Sequence, residues 1–293
     1  MTDAVVKNRQ MPQIFLATSR ELPDGEPGGP LVTAAFAARG VEAVWAVWDD
    51  PAVDWSAAAL VAVRSTWDYH RRMPEFLAWA RGVEVRTRLL NGADVFAWNA
   101  DKDYLVDLEL PHVPTARLGD PAGLAEVTQR WGRCVVKPRV GASGIGVVVV
   151  DGPDDAGRLR GGPWVVQPLV ESVHTVGETS VFVFGGRAAA QVGKRPAGDE
   201  VRVHEEYGGR SVAAPLDPER AALAERAVAW VGERFGVAPA YARIDVMWWQ
   251  DAWVVSELEL IEPGLYLDVD PTIAEPFAET VANLLSGPRV LGT

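Results

Sequence analysis

The stretch YARIDVMWWQDAWVVSELEL, Tyr241–Leu260, sets carboxylates inside two apolar runs: Asp245 in the first, Glu257 and Glu259 in the second. Runs of this kind about a short polar break predict an antiparallel hairpin. Side chains two apart on a strand share a face, so Glu257 and Glu259 point one way, and so do Arg243 and Asp245. With a three-residue turn, Gln250 to Ala252, Trp249 pairs with Trp253, Asp245 with Glu257 and Arg243 with Glu259, and all four charges share one face. A two-residue turn reverses the parity and sends Asp245 to the face opposite Glu257. Three carboxylates together in a low dielectric repel one another unless cations compensate, and hard oxygen donors suit Mg²⁺. The alternative is a solvated strand face with scattered acids.

Upstream of the hairpin lies a second pattern, CVVKPRVGASGIGVVVV. Gly141, Gly144 and Gly146, with Ser143, make a turn whose backbone amides can converge on phosphate oxygens, since glycine permits close approach. The loop joins two expected strands. It lacks the lysine and hydroxyl ending of a P-loop and opens no helix, so neither that motif nor a dinucleotide fingerprint applies. An ordinary hairpin turn would look the same. The surroundings favour a phosphate: Arg130, Arg133, Lys137 and Arg139 precede the loop closely. Lys102 and Lys194 are further candidates, although a lone lysine is more often a solvated surface charge.

The N-terminal region alternates short apolar runs with helical stretches: QIFLAT, PLVTAAFAARG, VEAVWAV, and WSAAALVAV, which ends at RSTWDYHRR. This alternation predicts βαβ units and a parallel sheet, whose ligands lie beyond the carboxyl ends of the strands. A helix is expected over MPEFLAWARG, a short strand near VEVRTRLLN, and a charged, glycine-rich loop over RPAGDEVRVHEEYGGRS before the helix PERAALAERAVAWVGERFG. The periodicity switches between two and 3.6 residues, as in a mixed α/β protein.

Composition narrows the function classes. The chain of 293 residues is long enough for about two domains with a cleft between them. A net charge of −12 opposes general affinity for nucleic acid or anionic membrane, leaving a small polar molecule as the expected partner. The single cysteine, Cys134, excludes an intrachain disulfide framework and fits a reducing cytoplasm. The start of the chain has no signal-peptide core, and no run approaches about 18 apolar residues, so a soluble, cytoplasmic protein is expected. His70, His112, His174 and His204 have no metal-ligand spacing, and no Ser, His and Asp arrangement is evident.

Phosphate-binding lysines, a glycine loop between strands, and an Asp followed by a Glu pair on a hairpin together resemble the ATP-grasp superfamily, in that family's order from about Asn99 onward. The resemblance implies an α/β fold with a Rossmann-like N-terminal domain (residues 1–98) that recognises substrate. Two α+β lobes follow, at 99–171 and 172–293, with ATP between them. It implies that Lys102 and Lys137 bind the nucleotide and that Ser143, Gly144, Ile145 and Gly146 close over the triphosphate. Gln167, Leu169 and Val170 would form the adenine hinge and Glu178 would bind the ribose. Asp245, Glu257 and Glu259 would hold Mg²⁺, although many relatives have Asn at the last position. Arg243 would stabilise a tetrahedral intermediate, and Lys194 and Arg202 would meet the γ-phosphate or acylphosphate from a mobile loop.

Within the superfamily, RSTWDYHRR, NADKDYL and ELELIEPGLYL resemble the branch containing the ligase that closes O-ureido-D-serine to D-cycloserine with ATP. That implies a small amino-acid-like carboxylate as substrate. An intermolecular amino-acid or peptide ligase, or a noncatalytic ATP-binding module, stands as the alternative. Dimerisation is common in similar proteins and makes a homodimer an expectation. For the segment after the apolar run, Arg64 is expected to clamp the substrate carboxylate, with Ser65, Thr66 and Asp68 holding its amino or ureido group and Trp67 and Tyr69 excluding water. The alternative there is a capped strand-to-helix turn.

Overall fold

The structure, a computed structural model, describes residues 11–285. The expectation that the start of the chain has no signal-peptide core falls partly outside the described residues, as do the outer ends of the first and last expected domains. No helix among the described residues is long and apolar enough to cross a membrane.

The first sheet is parallel, in the order β2-β1-β3-β4. Its strands are β1 (Gln13–Thr18), β2 (Glu42–Val47), β3 (Leu60–Ser65) and β4 (Arg88–Leu89); the helices α1 (Gly29–Ala37) and α2 (Met73–Glu84) connect them. Every residue of β3 is buried because the strand is covered on both faces. Leu60 and Ala62 join the cluster around Phe36 and Phe277, while Val61 and Val63 join the one around Trp55 and Phe76. Helix α3 (Ala93–Asn99), which the sequence reading lacks, leads onward.

The second sheet, in the order β5-β8-β6-β7, is antiparallel and holds β5 (Ala116–Leu118), β6 (Cys134–Pro138), β7 (Val148–Val150) and β8 (Trp164–Pro168), with α4 (Leu124–Trp131) against it. The glycine loop joins β6 to β7, which are neighbours. The third sheet, β11-β10-β9-β12-β13, is also antiparallel: β9 (Glu178–Phe184), β10 (Arg187–Arg195), β11 (Arg210–Ala214), β12 (Tyr241–Trp249) and β13 (Ala252–Glu259). Helix α5 (Pro218–Phe235) covers one face through Ala224, Ala227 and Val231, its start capped by Asp217. Strand β11 corrects the sequence reading, which kept a loop through Ser211.

The first and third sheets are tied through shared core. Helix α6 (Ala274–Leu285), also absent from the sequence reading, returns to pack on α1, with Phe277 edge-on to both Phe36 and Tyr241. The Tyr241 hydroxyl accepts from Val63 N–H at 3.0 Å, and Asn91 donates to the carbonyls of Tyr241 and Leu260.

Candidate active site

A cavity of about 450 Å³ is lined by segments of all three sheets, among them the glycine loop, the carboxylate hairpin and the residues just after β3.

The hairpin reaches its expected cross-strand pairs by a different route. Its turn has two residues, Gln250 and Asp251, both with positive φ (47° and 64°), so Trp249 pairs with Ala252 and Trp248 with Trp253. That register alone would put Asp245 and Glu257 on opposite faces. A bulge between Asp245 and Val246 absorbs Ser256 as an extra residue, after which Asp245 pairs with Glu257 and Arg243 with Glu259. The expected three-residue turn is therefore corrected to a two-residue turn plus a bulge.

Each carboxylate is drawn to a cation. Asp245 accepts from Arg243 (2.9 and 3.0 Å), Lys194 (3.3 Å) and Ser180 (2.6 Å). Burial alone would raise its pKa, but Arg243 and then Lys194 outweigh this and hold it well below the usual carboxylate range. Glu257 pairs with Lys102 at 3.0 Å and is likewise lowered against burial by Lys102 and Lys137. Glu259 meets Arg243 at 2.6 Å, yet burial and the neighbouring acids raise its pKa.

Most expected nucleotide residues face the cavity. Lys102, Lys137, Ser143, Gly144, Ile145, Gln167, Leu169, Val170, Glu178 and Arg202 all line it. Lys102 Nζ also donates to the Gly141 carbonyl at 2.8 Å, which ties the glycine loop to Glu257. Gly146 does not line the cavity; its φ of 77° and the nearness of Pro138 assign it to shaping the turn. Of the basic run, only Lys137 faces the cavity: Arg133 pairs with Asp151, Arg139 with Asp101, and Arg130 lies over Trp131. In the hinge, Gln167 donates to Thr115 and Leu169 N–H to the Arg133 carbonyl.

Lys194 departs from expectation. It sits on β10 instead of on a mobile loop, is 2% exposed, and bridges Glu178 (2.6 Å) and Asp245 without lining the cavity. Arg202 pairs with Glu200 and stacks on Tyr207. Its aliphatic stem and the His204 ring lie against Gly144, so the 196–209 loop meets the glycine loop over the cavity.

The N-terminal motif needs the largest correction. Arg64 lies within β3, is 0% exposed, and donates to Glu26 (3.0 and 2.6 Å) and the Pro263 carbonyl (2.7 Å), with Phe277 beneath it. Like Leu60 and Ala62 it points into the α1/α6 layer, and it does not line the cavity. Ser65 bonds Thr18, and Thr66 is fully buried with an unpartnered hydroxyl. Asp68 accepts from Trp48 and Arg72. Only Trp67 and Tyr69 of the six line the cavity. Sequence reasoning in turn missed Glu26, Glu262, Tyr266 and His204, all of which line it. Glu262 stood in the quoted ELELIEPG, where its acid side chain after a strand was the available signal.

The donor set suits a divalent ion with a polyphosphate, since carboxylates and several lysine and arginine side chains meet around one cavity. Among the described residues no three acids already converge on one point, because each is held by a protein cation.

Known proteins share this architecture. The family model of the D-cycloserine synthetase DcsG N-terminal domain matches residues 14–91. The cycloserine biosynthesis protein DcsG of Streptomyces lavendulae is 30% identical, over 87% of this chain and 93% of its own. The crystal structure of D-cycloserine synthetase DcsG superposes with a TM-score of 0.83 at 28% identity, covering 94% of this chain and 100% of that one. The ATP-grasp ligase PsnB with a precursor variant, Mg and ADP shares the fold at a TM-score of 0.65 and 18% identity, over 94% of this chain and 99% of its own. The glycine loop, the hairpin acids and this likeness across nearly the whole length agree: the chain belongs to the DcsG family and is an ATP-grasp carbon–nitrogen ligase.

Proposed function

We propose that the protein activates a small amino-acid carboxylate and closes it on an internal nitrogen, with O-ureido-D-serine as substrate and D-cycloserine as product. The observation that carries this reading is the join between the N-terminal segment and the carboxylate strand. The Trp67 indole donates to the Glu262 carbonyl at 3.2 Å and faces Gly264, so the wall after β3 is part of the same chamber as Glu257 and Glu259. A chamber walled by segments of all three sheets suits a small substrate that reacts with itself.

ATP with magnesium supplies, when bound, the phosphoryl group that turns a carboxylate, a poor electrophile, into an acylphosphate. Glu257, Glu259 and Asp245 would hold the metal, displacing the protein cations that now pair with them. Lys102 and Lys137 would neutralise triphosphate oxygens, and the 141–146 loop would exclude water. Arg243 would steady the negative charge on the acyl oxygen while the substrate's N–O nitrogen attacks the acyl carbon and phosphate leaves. That attack closes the ring, and hydrolysis of the carbamoyl group on the ring nitrogen by one water, released as carbon dioxide and ammonia, leaves cycloserine.

The test is mass analysis of the products formed from ATP, Mg²⁺ and O-ureido-D-serine. Cycloserine with stoichiometric ADP supports the reading. ADP release only when two amino acids are supplied together would replace cyclisation by intermolecular ligation, and nucleotide binding without phosphate release on any carboxylate would leave a binding module.

A further inference from the structure

Six buried or half-buried carboxylates line the cavity, and five have a cation: Glu26 has Arg64 (2.6 Å), Glu178 has Lys194 (2.6 Å), Asp245 has Arg243 (2.9 Å), Glu257 has Lys102 (3.0 Å) and Glu259 has Arg243 (2.6 Å). Glu262 is the exception. It is 7% exposed, and among the described residues no other residue donates to its carboxylate or pairs with it. Burial, then repulsion from Glu259, hold its carboxyl well above the ordinary carboxylate range. An acid kept in such a place without a partner costs free energy that a cationic ligand would relieve.

Its position specifies which cation. Two residues on, Gly264 lies between Trp67 and Arg243: a β-carbon there would be 3.4 Å from the Trp67 ring and 3.9 Å from Arg243 Nη1. Glu262 therefore stands two residues along the chain from the contact with the guanidinium at which the substrate carboxyl is placed above, and both side chains line the cavity. In an α-amino acid the ammonium nitrogen is two bonds from that carboxyl carbon. We infer that Glu262 is the receptor for the α-ammonium group of the substrate, and so the residue that requires the substrate to be an amino acid. The inference rests on the proposed reading of the cavity as an amino-acid carboxylate site, but not on the identity of the side chain that is cyclised.

The test compares wild type with Glu262→Gln on two compounds, O-ureido-D-serine and 3-(ureidooxy)propanoate, which lacks the amine, by ADP release. The expected result is a KM for the amino compound raised about 10- to 100-fold by the substitution, the range for one charged hydrogen bond. The KM for ATP and the kinetics with the amine-free compound should stay within about twofold. An equal loss on both compounds, a fall in kcat at unchanged KM, or an increased Mg²⁺ requirement would overturn the inference, by making Glu262 structural, a proton acceptor or a metal ligand respectively. If the wild type instead releases ADP with a different α-amino acid, the cyclisation reading fails, and that amino acid and its amine-free analogue replace the pair. If ADP release needs no α-amino group with any carboxylate, the inference itself fails.

Discussion

Two stretches dense in charge and aromatic side chains, Val63–Arg72 and Tyr241–Glu259, end in opposite roles. Both carry an arginine within a buried strand. On β12, Arg243 reaches a cavity because one face of the hairpin looks onto it. On β3, Arg64 stays inside because helices cover both faces of the parallel sheet, and its charge is neutralised by Glu26. Side-chain periodicity is the same in the two strands. What differs is whether the face an arginine shares is covered by another layer, and that is a property of the whole fold.

Crossed outcomes would test this contrast most severely. Glu257→Gln should lower kcat by about a thousandfold or more, the scale on which one electrostatic group acts at a phosphoryl-transfer centre. Its melting temperature should hardly move, because Lys102 keeps the Gly141 carbonyl as a partner. Near wild-type turnover in this variant would remove the hairpin from the chemistry.

Arg64→Met should do the reverse. Stability falls by about 3–5 kcal/mol in urea unfolding, because Glu26 is left buried without its partner. The double variant Arg64→Met/Glu26→Gln should recover much of the loss, a coupling that a double-mutant cycle measures. A raised substrate KM with unchanged stability would restore Arg64 as a substrate clamp.

The sequence made the alternation of strands and helices legible, together with the glycine loop between neighbours and the common face of Asp245, Glu257 and Glu259. These follow from periodicity and local turn chemistry. Three things did not. The bulge at Ser256 has no residue-type signature; it shows only in how the two strands pair. The covering of β3 depends on α6, some 210 residues further along the chain. The isolation of Glu262 is a lack of partners, which only the assembled cavity reveals.

That isolation has a consequence for stability. A carboxyl whose pKa is higher folded than unfolded costs nothing below about 4.5, its ordinary value, and costs fully once the pH passes the folded value. Glu262→Gln should therefore raise the melting temperature at pH 8, by about 2–4 °C if the relief is near 1 kcal/mol. The gain should shrink as the pH is lowered toward 5. A gain independent of pH would mean that charge is not what makes Glu262 costly.

The smallest effect separates the hairpin's tip from its base. Gln250 and Asp251 hold the left-handed conformation that a two-residue turn demands and that glycine adopts without steric cost. Asp251→Gly should stabilise the protein by about 0.5 kcal/mol in urea unfolding, the strain relieved being partly offset by the extra freedom of glycine in the unfolded chain. Turnover should not change, because the bulge at Ser256 resets the register between the turn and the carboxylates. If kcat fell with this substitution while stability rose, the register at Asp245 and Glu257 would be set by the turn, and the bulge would be following it.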